Sequence, residues 1–446
     1  MNLQWRRPFM DRRTLMVWGL AVVAGLARIP AAHAQPGGVG VTVTAPAPGT
    51  VLTLDEAVAL GLRQQPTITG AQQSELAARA RIGEAQSAYY PRFDWLTSAG
   101  RSQTFSQSLN APITGNSIAT AVQGTQLLYD FGKTGSTVDQ ARAGARAANA
   151  VVVQTRQSVV QNVKTAYYNL LQAQRLVKVA EDNLSLTELN LRSAQGFYDV
   201  GTKPKSDVTQ AEVQVANARV ALILAKNQVD LAQTTLVNAI GIRTASPLQI
   251  EDILTYEPVT LDFPALLQEG LNNRPELRQA RAQVESAQAQ LSGAKAGYLP
   301  TLTASGVYGG SSNDPALHEQ WSVTGNLAWN LFQGFFTQNQ VKETTALVEN
   351  ARANYSTQEL QVRLDVEQAY LTVVAASETV GATDKEVQSA QENLNLAQGR
   401  YDAGVGTILD LTTAQVALSS AQADQVRALT AFRVGLAVLD RVVGRP

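Results

Sequence analysis

Asp130-Phe131-Gly132 spells the metal-binding triplet of a kinase, and Gly132-Lys133-Thr134 the tail of a phosphate-binding loop. Together they would supply a carboxylate for magnesium and a lysine for phosphate. Leu127 stands where the phosphate loop needs its first glycine, and no kinase catalytic loop occurs elsewhere. The stretch therefore reads as a strand end turning into a helix. His318, near Asp314 and Glu319, reads as a solvated loop histidine rather than a ligand. Cysteine is absent, and Met1, Met10, Met16 and His33 all fall in a leader, so thiolate and thioether chemistry have no material and histidine chemistry is left with His318 alone. Asp207 and Asp410 each lie just after a glycine turn. For the two aspartates a helix N-terminal cap is the simplest use. No catalytic residue, cofactor-binding residue or metal site is read, and an enzyme is not expected.

The chain has 446 residues, of which 45% are hydrophobic and 16% charged, with a formal net charge of -1. That composition fits neither a disordered chain nor a basic nucleic-acid binder. Arg6, Arg7, Arg12 and Arg13 precede the apolar run Leu15 to Leu26, and Ala32-His33-Ala34 offers small-x-small cleavage. This reads as a signal peptide over 1–34, its apolar run short of the about 20 residues a spanning helix needs. Export without a cysteine-linked lipid is expected. Residues 35–50, with Gly37-Gly38-Val39-Gly40, Pro36, Pro46 and Pro48, read as a linker.

The remainder is written twice. Gly61, Pro66 and Tyr90-Pro91 return 209 residues later as Gly270, Pro275 and Leu299-Pro300. Further on, at an offset of 203, Tyr198-Asp199-Val200-Gly201 returns as Tyr401-Asp402-Ala403-Gly404. The change of offset must lie between Pro91 and about Tyr129, where a surface loop tolerates it. The first repeat is assigned to 51–241, an inter-repeat segment to 242–260 and the second repeat to 261–446. Val138, Ala145, Val152, Val159, Ala166, Ala173 and Ala180 recur every seven residues, interleaved with Val163, Leu170, Val177, Leu184 and Leu191. Such a pattern predicts a helix from about Thr134 to Tyr198, about 100 Å long, broken by Gly201 and Pro204. After the break, alanine seams such as Ala211, Ala218 and Ala225 allow close helix packing.

Between the short and long helices the period becomes two. Trp321, Val323, Gly325, Leu327, Trp329 and Leu331 alternate with polar or small residues. With Thr301 to Gly310 they predict a hairpin over about 301–333, turning at Ser311 to Pro315. In the first copy Phe93, Trp95, Thr97 and Ala99 alternate likewise. They predict a hairpin over about 92–131, turning at Asn110 to Asn116. Trp321 and Trp329 fit the two interfacial girdles of a tilted barrel strand, and membrane barrels need at least about eight strands. Four per chain implies a barrel shared between chains. The fold class expected is mainly α with a small β part: duplicated long antiparallel helical hairpins forming an α-barrel, and four strands lent to a shared transmembrane β-barrel.

The duplicated helix, hairpin, long helix and helix order, with Tyr90-Pro91, Leu299-Pro300 and two Tyr-Asp-x-Gly turns, resembles the TolC family of outer-membrane efflux and secretion ducts. The likeness runs from about Val51 to Gly444. It implies a homotrimer in the outer membrane of a Gram-negative bacterium, reaching across the periplasm to a periplasmic adaptor and an inner-membrane pump. It also implies an equatorial belt from Val51 to Gln65, Ile242 to Pro264 and Ala265 to Asn273. By the same resemblance the helix tips form a gate. Ser206 and Asp207 match hydrogen-bonding partners that Tyr401 reaches, Asp410 matches an acidic ring at the entrance, and Gly201 and Gly404 mark the tips an adaptor grips. Gly406 departs from a basic latch residue, and Thr413 from a second acidic ring. The rival reading is a periplasmic coiled-coil adaptor or structural protein without a channel. Adaptors place one helical hairpin inside β-domains, whereas two β-hairpins here lie inside helices.

Overall fold

The computed structural model describes residues 51–243, 248–312 and 318–445. The leader, the linker and the Asn313-Asp314-Pro315 part of the second hairpin turn lie outside the described residues. Each repeat contains the same run of elements. The first holds α1 (Leu54–Gln64), α2 (Pro66–Gln86), β2 (Arg92–Ser106), β3 (Ala111–Tyr129), α3 (Lys133–Asp199) and α4 (Lys205–Ile240). The second holds α5 (Phe263–Asn273), α6 (Pro275–Ala296), β5 (Thr301–Ser312), β6 (His318–Ala328), α7 (Phe336–Asp402) and α8 (Ile408–Val442). Two short strands, β1 (Val51–Leu52) and β4 (Gln249–Ile250), pair in parallel. The helices α3 and α7 have 67 residues each, about 100 Å at a rise of about 1.5 Å per residue.

The sequence markers have local causes. Pro66 and Pro275 sit at the first position of α2 and α6, where their fixed φ and missing N–H fit a helix start. Gly61 and Gly270 let α1 and α5 lie against the long helices. A Cβ at Gly61 would come 2.9 Å from a Val163 methyl, and one at Gly270 3.0 Å from the Val366 methyl, the same contact made twice. Asp130-Phe131-Gly132 is the turn from β3 into α3. Both Phe131 and Gly132 have positive φ, and the Asp130 carboxylate accepts from Gly132 N at 3.1 Å and Thr134 N at 2.6 Å. The triplet is a helix start, as read.

Along their upper halves the long helices pack with α2 and α6, and along their lower halves with α4 and α8. Between lies an equator. Leu52 and Leu254 join Val163, Tyr167, Leu170, Leu236 and Ile240 in one core, and Leu266 joins Val362, Val366, Val373 and Phe432 in another. The Tyr167 hydroxyl, shared between Leu52 O at 3.0 Å and Glu251 O at 2.9 Å, ties the β1–β4 pair to α3. Asp252 makes a two-point pair with Arg175, at 3.0 and 2.9 Å, which holds the inter-repeat segment on the same helix. In the second copy Arg274 is buried and pairs with Asp365 at 2.6 Å and Glu276 at 3.1 Å.

The strands form one antiparallel sheet in the order β2-β3-β5-β6. The turn of the first hairpin differs from expectation. It occupies 107–110, and Pro112 and Gly115 belong to β3, paired with Phe105 and Ser102. Among the described residues β5 pairs with β3 from Ile118 onward, and at Pro112 β3 is bonded to β2. Proline is tolerated at such an edge, where at most one neighbour can need its missing N–H. Ser311 and Ser312, expected in the second turn, still belong to β5. Trp329 lies one residue beyond β6, its indole N–H donating to Tyr298 O at 3.0 Å.

Candidate functional site

The two helical hairpins end in turns built alike. After α3, Gly201 takes a φ of 74°, with Gly201 N bonded to Tyr198 O and Thr202 N to Phe197 O, both at 2.9 Å. After α7, Gly404 takes 78°, with Gly404 N bonded to Tyr401 O and Val405 N to Arg400 O, both at 3.0 Å. This paired-bond helix ending needs a left-handed residue, which glycine adopts without Cβ strain. The next helices start differently. Thr407 caps α8 in a reciprocal box, accepting from Asp410 N at 3.1 Å while Asp410 accepts from Thr407 N at 3.3 Å. Hydrogen bonding from the Thr407 hydroxyl first, and then from Thr407 N, holds the Asp410 carboxyl below the usual carboxylate range. Pro204 occupies the matching place before α4 and offers no side-chain cap, so Asp207 is not drawn into one.

Tyr401 is wholly buried among Leu394, Ile408, Leu411, Ala414 and Leu418, with Phe197 edge-on at 5.7 Å. Its repeat counterpart Tyr198 is 44% exposed. Burial pushes the Tyr401 phenol up, and the charges of Asp207 and Asp402 push it further. The hydroxyl has no hydrogen-bond partner among the described residues. Tyr401 and Asp207 are thus electrostatic neighbours without the bond that the resemblance implied. Ser206 Oγ lies 3.5 Å from Asp207 Oδ1, at the limit of a hydrogen bond. Gly201, Gly404, Asp410 and Thr413 are exposed, beside the apolar Val200, Val405 and Leu409.

Gly406 has a steric reason. A Cβ there would come 2.9 Å from Tyr401 N and 3.0 Å from the Arg400 carbonyl carbon, so any side chain displaces the turn. The cation at this place comes from the other tip. Lys203 Nζ donates to Gly406 O at 3.1 Å and lies 4.9 Å from the Tyr401 ring centroid. Sequence reasoning passed over Lys203, although the 203-residue offset puts it at the repeat position of Gly406. Higher up, Asn190 donates to Gln415 at 2.8 Å and Gln415 to Asn183 Oδ1 at 3.2 Å, a part-buried chain joining α3 to α8.

At the opposite end the sheet has two unlike faces. Register places Phe93, Trp95, Val122, Gly124, Gly306, Tyr308, Trp321 and Val323 on one face. Polar and small residues such as Gln123, Thr125, Ser305, Gln320 and Ser322 fill the other. Trp321, expected in a girdle, is 72% exposed on the apolar face opposite Tyr308, and Trp329 is exposed at the helical end. No described helix is long and apolar enough to cross a membrane.

The outer membrane efflux protein family model matches residues 58–242 and 266–445, one match in each repeat. The outer membrane protein TolC of Salmonella enteritidis is 26% identical over 364 residues, covering 78% of this chain and 72% of its own. Protein CyaE of Bordetella pertussis is 26% identical over 376 residues, covering 82% and 78%. Among solved structures, the outer-membrane channel OprN superposes with a TM-score of 0.79 at 20% identity, covering 88% of this chain and 90% of its own. Duplicated 67-residue helices, a sheet with one apolar face and a family match spanning both repeats agree, and the chain belongs to the outer membrane efflux protein family.

Proposed function

We propose that three copies of this chain close into an exit duct that crosses the outer membrane and reaches through the periplasm, acting as the passive, gated channel of a tripartite efflux or type I secretion system. The observation that carries this is the open sheet of four strands, apolar on one face, whose edge strands β2 and β6 each lack a neighbour on their outer side among the described residues. Such edges need pairing, and closure into a barrel is the arrangement a membrane tolerates. The helices support the same count of open flanks. Val213, Val220, Leu224 and Leu231 stand exposed along α4, and Leu360, Leu364 and Leu371 along α7. A neighbouring copy would cover both stripes.

Energy comes from an inner-membrane pump, and a periplasmic adaptor grips the tips around Gly201 and Gly404, where Val200 and Val405 offer apolar contact. Ser206, Asp207, Tyr401 and Asp410 stand at the gate. Three exposed Asp410 carboxylates around an entrance repel one another and attract cations. With Thr413 uncharged, the ring is single and its cation block weaker. The apolar sheet face meets outer-membrane lipid, and its polar face lines the pore.

Light scattering on detergent-extracted protein from outer membranes tests the assembly. A three-chain particle is expected, and a soluble monomer or dimer in the periplasmic fraction would replace the duct with the adaptor reading. Planar-bilayer currents from the same particle test conduction, with a low-conductance closed state expected.

A further inference from the structure

Each Lys203 contact crosses between the two hairpin tips. The half-buried side chain leaves the first-repeat turn and donates to a backbone carbonyl of the second-repeat turn, at 3.1 Å. Its ammonium also sits 4.9 Å from the centroid of the buried Tyr401 ring. A charged donor on a carbonyl is stronger than a neutral one, and a cation over an aromatic face adds to it. The acceptor is held in place, because Gly406 N itself donates to Arg400 O at 2.8 Å and the absent Cβ lets the turn lie on Arg400 and Tyr401. Tyr401 is engaged by its ring, against Lys203 and the Phe197 edge, and its hydroxyl bonds none of the described residues.

We propose that Lys203 is the clasp of the closed tips. It is a cation carried by the first-repeat hairpin that grips a backbone carbonyl and an aromatic face of the second-repeat hairpin. The proposal rests on the reading that the tips form the gate, and it assigns the closing contact to the ammonium rather than to a bond from the Tyr401 hydroxyl. Because the acceptor is backbone, no substitution deletes it, and the clasp is best removed from the lysine side or by taking away the ring.

The sequence holds no cysteine, so spin labels at Val200→Cys and Val405→Cys, both on exposed tip positions, report tip spacing in the full chain without background. Spacing and single-channel conductance are read on the same variants. Lys203→Met is expected to lengthen the spacing and raise conductance several-fold, while Lys203→Arg keeps the short spacing. Tyr401→Phe, which retains the ring, is expected to keep the short spacing, and Tyr401→Leu to lengthen it. Wild-type spacing in Lys203→Met would overturn the clasp. So would a Tyr401→Phe spacing as long as that of Lys203→Met. Lengthened spacing in Lys203→Met with unaltered conductance would uphold the clasp and sink the gate reading beneath it.

Discussion

The two repeats share a backbone and differ in side-chain chemistry at the places where they meet other parts of the chain. Gly61 and Gly270 make the same contact with the same valine of their long helix. A few residues later the copies part. Gln65 donates from its amide to Asn238 O and Ala239 O at 3.2 and 3.0 Å, whereas Arg274 at the matching position is a buried cation between two carboxylates. At the tips the first copy has Lys203 and Pro204 where the second has Gly406 and Thr407, and Tyr198 is half-exposed where Tyr401 is buried. Duplication supplied two equal rods. Divergence at the equator and the tips made one of them the holder and the other the held.

Unequal replacements at matching positions test that division. Arg274→Leu removes the cation and leaves the Asp365 and Glu276 carboxylates facing each other with little water. The expected loss is about 3 kcal/mol, read as a lowered Tm, because an unpaired buried charge is worse than no pair. Gln65→Leu should cost about 1 kcal/mol in the same melt, the amide bonds being neutral and near solvent. Equal losses would erase the asymmetry at the equator.

A pH scan separates the equators further. Burial first, with the neighbouring Glu251, Tyr168 and Asp252 adding to it, pushes the Tyr167 phenol from 10.0 up to about 12. The folded chain keeps a proton that the unfolded chain releases first. Stability from this group is therefore whole below about pH 10 and is lost as the pH climbs towards about 12. Tyrosinate absorbance against pH is expected to lose one late-titrating phenol in Tyr167→Phe.

Smaller effects are expected at the tips. Gly406→Ala forces the second turn away from Arg400 and Tyr401, at about 1–2 kcal/mol, and should make that turn the preferred site of protease nicking. Thr407→Ala breaks the capping box of α8 and should cost about 1 kcal/mol. Pro204→Ala, which removes no side-chain cap, should leave the first turn of α4 nearly as protected. Hydrogen exchange in the two first turns measures the contrast. The Asp410 half of the box is present above its lowered pKa and lost as pH falls through it, so the α8 start should loosen in acid before the α4 start does.

Much of this architecture was legible beforehand because it is periodic. Seven-residue spacing continued without proline to Tyr198, and the helix ends one residue later, at Asp199. Alternation in Trp321 to Leu327 identified β6, and the paired offsets located both tips. The first hairpin turn was misread because Pro112 and Gly115 carry turn chemistry yet occupy the part of β3 that extends past β5. Proline reports a missing donor, and only the sheet order tells whether a neighbour needed that donor. The bond that the resemblance implied for the Tyr401 hydroxyl is absent among the described residues.

By itself the sequence determined the duplication, the rod lengths, the breaks at Gly201 and Gly404 and a sheet with one apolar face. Each of these follows from residues close along the chain or from spacing repeated at a fixed offset. Tertiary structure alone decided that β1 pairs in parallel with β4, that Arg274 meets Asp365, and that Lys203 crosses to Gly406. Those partners lie 91 to 203 residues apart. Local patterns cannot specify such meetings, because they depend on how two rods about 100 Å long are set side by side.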